Sequence, residues 1–183
     1  MLRIVIGIVR VRGIGVIELS IDASTSKCGI AVFDGGDLMQ VRTEEFEGTW
    51  CPDKLNKIID TFEDILSYYS PDTVLIEEPL VFAKQSRSVA MLNQVGGAIY
   101  TVARMYKMNV YFFHGQKVKK ILGFKTKEES IKLASNHTGI KDINEHEADA
   151  VNLYLAYLLR DEENKVKPDR ENRKKKSECK QRD

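Results

Sequence analysis

Between Gly15 and Phe46 the apolar and β-branched residues fall into three short runs, Gly15–Asp22, Cys28–Asp34 and Leu38–Phe46. A Ser/Thr loop separates the first two, and the turn Asp34-Gly35-Gly36-Asp37 separates the second and third. Runs of this length between turn residues predict three strands in an antiparallel meander. The period then changes. After Pro52, Leu55, Ile58, Ile59, Phe62, Ile65 and Leu66 recur at helical spacing until Ser70-Pro71-Asp72 stops them. Thr73–Glu77 is short and continuously apolar before it ends in acid, as a buried parallel strand would be. A helical pattern from about Gln85 to Lys107 precedes a strand at Asn109–Phe113, and helices are expected at Gln116–Leu122, Lys127–Asn136 and Glu145–Arg160. The order predicts an α/β layer fold: a mixed five-stranded sheet, three antiparallel strands then parallel ones, flanked by helices.

The two ends do not follow this pattern. Residues 1–16 are expected to be an extension, in which Arg3–Val11 could form an extra strand. Arg3, Arg10, Arg12, Gly13, Gly15 and Glu18 interrupt that apolar stretch, and no uncharged span of membrane length occurs, so neither a signal peptide nor a membrane segment is expected. Residues 161–183 are charged, with a Lys174-Lys175-Lys176 run, and lack the apolar surface needed to order themselves. They are read as a solvated tail or a salt-sensitive nucleic-acid tether. One folded domain, 1–160, remains. Its charge is nearly balanced, since ten of the 28 Lys/Arg lie from Arg160 onward. Nucleic-acid binding would therefore need local patches. Cys28, Cys51 and Cys179 have no CxxC spacing, which argues against a zinc site or a disulfide framework and for a reduced, cytoplasmic setting.

The candidate chemistry is acidic. Asp22 and Glu77 each end a buried strand, where a carboxylate is costly unless something compensates it. Sites in open α/β sheets collect at such strand ends. His146 and Asp149 are three residues apart at the start of an amphipathic helix and so project from one face. Three crowded carboxylates repel one another and take up protons unless cations neutralise them. Oxygen-rich sites suit Mg²⁺ or Mn²⁺, and a pair of such ions can activate water and stabilise the leaving oxygen of a phosphodiester. His146 could ligate a metal or carry protons. Taken singly, a strand-end Asp is usually a cap or turn residue, and Asp149 could simply favour the helix dipole. Only the ordered set is informative.

In the residues that carry these acids the chain resembles the RuvC family of Holliday junction resolvases, which have an RNase H-like fold. Ile21-Asp22-Ala23-Ser24-Thr25-Ser26-Lys27-Cys28-Gly29-Ile30-Ala31-Val32 resembles the family's first strand, loop and second strand. Val74-Leu75-Ile76-Glu77-Glu78 resembles its second acidic motif, Leu92–Ala98 its small-residue helix, Val118–Gly123 its basic helix, and Glu145–Ala150 its last motif. The resemblance covers roughly residues 18–160. It implies an RNase H-like nuclease in which Asp22, Glu77, His146 and Asp149 ligate Mg²⁺ or Mn²⁺ and Lys119 sits near the scissile phosphate. It also implies a homodimer that nicks branched DNA symmetrically, with a second lysine near Lys127 and Phe82 as an aromatic wedge at the junction centre. Two departures stand out. Asp22-Ala23-Ser24 replaces the family's Asp-Pro-Gly, and Leu80–Gln85 carries a shift or insertion.

Basic residues fall where DNA would pass. Lys117, Lys119, Lys120, Lys125, Lys127 and Lys132 face only Glu128 and Glu129 within residues 117–132, and Lys84 and Arg87 lie just past Glu77. A solvated helix face would look similar. The stretch Val95-Gly96-Gly97-Ala98 would suit a close two-fold interface or ordinary packing on the sheet. Competing readings are an RNase H-like nuclease acting on RNA or RNA–DNA hybrids, a non-catalytic nucleic-acid binder, and a sugar-kinase-like ATPase. The last needs a second domain and an Asp-x-Gly-Gly motif that this chain lacks. The short chain and divergent loop would suit a phage or viral enzyme.

Overall fold

A computed structural model of the chain describes residues 15–78 and 86–166. Expectations for Arg3–Val11, Phe82, Lys84 and the segment after Val166 lie outside the described residues.

The described elements follow the expected order: β1 (Ile17–Asp22), β2 (Lys27–Asp34), β3 (Asp37–Glu45), α1 (Pro52–Tyr69), β4 (Thr73–Glu78), α2 (Ser86–Met105), β5 (Asn109–His114), α3 (Gly115–Leu122), α4 (Lys127–Thr138) and α5 (Glu145–Val166). One sheet runs β3-β2-β1-β4-β5. β1, β2 and β3 pair antiparallel, while β4 pairs parallel to both β1 and β5. This is the mixed sheet that the hydrophobic pattern predicts. Boundaries shift by a residue or two, and α5 continues through Val166 into the segment expected as a tail. That extension (DEENKV) contains no Gly or Pro and several good helix formers, so nothing in it stops the helix. Among the described residues no helix is long and apolar enough to cross a membrane.

The sheet is covered on both faces, and the period of two along each strand sorts side chains between them. Leu19, Ile21, Ile30, Val32, Val74 and Ile76 pack with Ile58, Phe62, Ile65 and Leu66 of α1 and Val95, Ile99 and Ala103 of α2. Ala31, Phe33, Leu75 and Phe113 face the other way, toward Val118 of α3, Ala134 of α4 and Ala148, Val151 and Tyr154 of α5. Phe33 and Tyr154 stack at 3.6 Å between ring centroids. Ser20 and Asp22 belong to this second face of β1, and Glu77 follows Leu75 on the same face of β4.

Helix α5 lies unusually close to the sheet. A Cβ built on Gly29 of β2 would stand 1.8 Å from the carbonyl oxygen of His146 and 2.3 Å from its carbonyl carbon. Only glycine permits that approach. On the neighbouring strand the buried Ser20 hydroxyl donates to the Ala150 carbonyl at 2.7 Å. Ala148 and Ala150 are fully buried, so the helix presents small residues where it meets the strands. Gly97 of α2 is the opposite case, with nothing within 4 Å of an added Cβ. Gly29→Ala is therefore expected to cost about 1–3 kcal/mol through overpacking, and Gly97→Ala to be neutral or stabilising by up to about 1 kcal/mol. Thermal unfolding of the two variants checks this, and equal Tm values would contradict the close docking of α5.

Candidate active site at the ends of β1 and β4

Strand pairing brings the first two acids together. Ile21 of β1 is in register with Ile76 of β4, and Asp22 and Glu77 are the next residues on the two parallel strands. The docking of α5 then places its first turn over Asp22. The His146 Nδ1 lies 2.9 Å from Asp22 Oδ2, and with Asp22 accepting, Nδ1 carries the proton. Three residues further on, Asp149 faces the same space and accepts a hydrogen bond at 3.0 Å from the Ser130 hydroxyl of α4. Ser130 is held in turn by Asn152, whose amide donates to the Ser130 hydroxyl at 2.8 Å and to its carbonyl at 3.0 Å.

The electrostatics are those of crowded acids. Burial, reinforced by the charges of Asp22 and Asp149, pushes the Glu77 carboxyl up to about 8, with Lys119 opposing the shift. Burial and Asp22 push Asp149 up to about 6, against the Ser130 hydrogen bond and Lys119. The hydrogen bond to Asp22 raises the imidazole of His146 above its ordinary value, against the opposing effect of burial. Lys119, on α3, is thus the cation that acts on both Glu77 and Asp149. The opening of α3 also makes room for Glu77, because a Cβ on Gly115 would meet its Oε1.

Three carboxylates and an imidazole fit a hard divalent cation in chemistry. Their mutual repulsion is the cost that such a cation relieves. As the side chains stand, no three His, Cys, Asp or Glu groups among the described residues close on a single point. Asp22 is turned to His146, and Glu77 lies against Gly115.

The loop after Asp22, where Ala23-Ser24 replaces Pro-Gly, has its own tie. The Cys28 thiol donates to the Ser24 carbonyl at 3.1 Å and accepts from the Ser24 N–H at 3.3 Å. Burial pushes that thiol up to about 12, which leaves it neutral and structural. Among the expected DNA-facing residues, Arg87, Lys117, Lys119, Lys120 and Lys125 are exposed. Lys127 is exposed too, but its ammonium is paired with Glu145 at 2.5 Å, and that partner raises its pKa. Glu145 opens the same helix turn that carries His146. The sequence reading did not single out Glu145, Ser130, Asn152 or the packing role of Gly29. Of these, Asn152 had a signal: an amide inside the otherwise apolar run Ala150–Ala156.

Comparison with known proteins agrees with this architecture. The family model described as crossover junction endodeoxyribonuclease RuvC matches residues 18–155, a span that contains Asp22, Glu77, His146 and Asp149. A crossover junction endodeoxyribonuclease RuvC of Brachyspira hyodysenteriae is 24% identical over 157 residues, which cover 79% of this chain and 94% of that protein. The RuvC of Dictyoglomus thermophilum is 27% identical over 114 residues, 60% of this chain and 72% of that protein. Among solved structures, the Thermus thermophilus RuvC in complex with a Holliday junction substrate superposes with a TM-score of 0.69 at 19% identity, covering 79% of this chain and 93% of that one. The yeast mitochondrial Holliday junction resolvase Ydc2 superposes with a TM-score of 0.57 at 11% identity, covering 78% and 77%. The chain belongs to the RuvC family of crossover junction endodeoxyribonucleases.

Proposed function

We propose that this chain is a Holliday junction resolvase, an endonuclease that hydrolyses phosphodiesters of four-way DNA junctions with divalent metal. The observation that carries the reading is the gathering of Asp22, Glu77, His146 and Asp149 at the adjoining ends of β1, β4 and α5 in a chain of this family. The likeness to a RuvC solved with a junction substrate supports the choice of branched DNA.

In this reading Asp22, Glu77 and Asp149 would hold Mg²⁺ or Mn²⁺, one ion or a pair, with His146 as a further ligand or a proton carrier. Metal held there would supply activation of a water and stabilisation of the leaving oxygen. The remaining work belongs to the chain itself. His146 orients Asp22 through its Nδ1–H and can hold or release a proton there. Lys119 offsets the negative charge of Glu77 and Asp149 and would meet a phosphate that approaches them. Arg87, Lys117, Lys120 and Lys125 would engage flanking phosphates, and their share of affinity would fall with salt. Lys127 would join them only by exchanging Glu145 for a phosphate. Lys84 and the Phe82 wedge belong to the same reading by the family resemblance. A homodimer would present two such sites to the two strands of a junction that are cut. The enzyme would act in the cytoplasm.

The test is cleavage of a synthetic four-way junction beside a matched linear duplex and an RNA–DNA hybrid, with and without Mg²⁺. Paired nicks confined to the junction and dependent on metal are expected. Cleavage of the hybrid alone would keep the site and move the function to RNA. Binding without any cleavage would leave a silent nucleic-acid binder. Asp22→Asn is expected to lower the cleavage rate more than the roughly 10–100-fold typical of outer-shell partners, with junction affinity in Ca²⁺ retained. Wild-type cleavage by this variant would remove the site assignment.

The raised pKa values give a pH dependence of stability. Glu77 has a folded value of about 8 against an ordinary 4.5, so between these pH values the folded chain binds more protons than the unfolded one. Stability should then fall as pH rises through that window. Asp149, raised to about 6, acts in the same direction over a lower window, and so does His146, whose stabilising charge is lost as pH passes its raised value. Without divalent ions, Tm is expected to drop by about 5 °C or more between pH 5.5 and 8.5. Added Mg²⁺ should restore more at the upper end than at the lower. A Tm that rises with pH would contradict the burial assigned to these acids.

A further inference from the structure

We propose that Ser130 of α4 and Asn152 of α5 form a positioning relay that fixes the carboxylate of Asp149 for cation binding. The inference rests on the reading of Asp149 as a metal ligand.

Asn152 is fully buried, in a stretch of α5 where Ala150, Val151, Leu153, Tyr154 and Ala156 are buried as well. Its Oδ1 is among the buried side-chain atoms that find no hydrogen-bond partner. An orphaned buried acceptor is destabilising, and an apolar side chain of similar volume would avoid that cost. Helix packing alone therefore does not call for an amide at this position.

The geometry supplies another reason. The Asn152 Nδ2 lies 3.0 Å from the Ser130 carbonyl oxygen and 2.8 Å from its hydroxyl oxygen. A carbonyl can only accept, so the end of the amide that faces it must be the NH₂ group and not the oxygen. That same NH₂ group then donates to the Ser130 hydroxyl. With a donor pressed against its oxygen, the hydroxyl turns its single proton the other way, toward Asp149 Oδ1 at 3.0 Å. The backbone N–H of Ser130 is already spent on the Thr126 carbonyl within α4. Ser130 itself is 3% exposed, so water does not compete for the hydroxyl. The chain Asn152 to Ser130 to Asp149 thus has one direction of donation throughout. It pins one oxygen of the carboxylate and with it the plane of the group. Outer-shell partners of this type orient ligands in metal sites generally.

The experiment measures Mn²⁺ affinity of the full chain from the electron paramagnetic resonance signal of free Mn²⁺, for Ser130→Ala, Asn152→Leu, their double variant and Asp149→Asn as reference. Each single relay variant is expected to bind Mn²⁺ about tenfold more weakly. Asn152→Leu should do so with an unchanged or higher Tm, because it removes the orphaned oxygen, and the double variant should be no weaker than Ser130→Ala alone. Junction cleavage should slow in parallel while junction affinity in Ca²⁺ stays constant. Wild-type Mn²⁺ affinity in Ser130→Ala and Asn152→Leu, with a loss in Asp149→Asn, would overturn the relay alone. Wild-type affinity in Asp149→Asn as well would overturn the ligand assignment and the relay together.

Discussion

Helix α5 meets the sheet at a glycine. With a Cβ at position 29, the first turn of the helix would have to lift off β2, because the obstructing atoms are the His146 backbone and not a side chain that can swing away. The Ser20–Ala150 hydrogen bond and the buried Ala148 and Ala150 hold the next turn down on β1. This contact sets the height of His146 and Asp149 above the end of β1. The pairing of β1 with β4 then brings Glu77 beneath the same point. The site is thus a product of two packing constraints, one parallel strand pair and one close helix, and neither lies among the acids themselves.

What those constraints gather is unfavourable to folding. Burial, reinforced by the charges of Asp22 and Asp149, pushes the Glu77 carboxyl up to about 8. The surrounding groups give partial relief: His146 against Asp22, Ser130 against Asp149, Lys119 near two of the acids. An apolar filling would be more stable, so the arrangement makes sense where a divalent cation completes the charge balance. The two clusters of the core are of ordinary apolar composition on either side of the sheet, and they supply the stability against which the acidic end is set.

The sequence makes most of this legible because the strands are short apolar runs bounded by turn residues or acids. The acids that end β1 and β4 are expected to face one another from the sequence, whereas the side of the sheet they share with Leu75 and α5 comes from packing. His146 and Asp149 were legible through the three-residue spacing on a helix. Other features depend on contacts between residues far apart in sequence. Gly29 looks like any strand glycine until His146, more than a hundred residues away, is set against it. Lys127 reads as a free cation until Glu145 closes on it. The loss of apolar residues predicts the end of α5 at Arg160, yet helix propensity without apolar content carries the backbone to Val166. The Cys28–Ser24 tie could not be read from a cysteine count, although it shows how a loop without Pro-Gly is held.

The central claim is that Asp22, Glu77 and Asp149 are brought together to hold divalent cations. Anomalous diffraction from crystals of the protein grown or soaked with Mn²⁺ tests it most directly. The account predicts Mn²⁺ peaks between the carboxylates at the ends of β1 and β4 and the first turn of α5, with Glu77 drawn away from Gly115. Peaks elsewhere on the surface, with this cluster left empty, would contradict it.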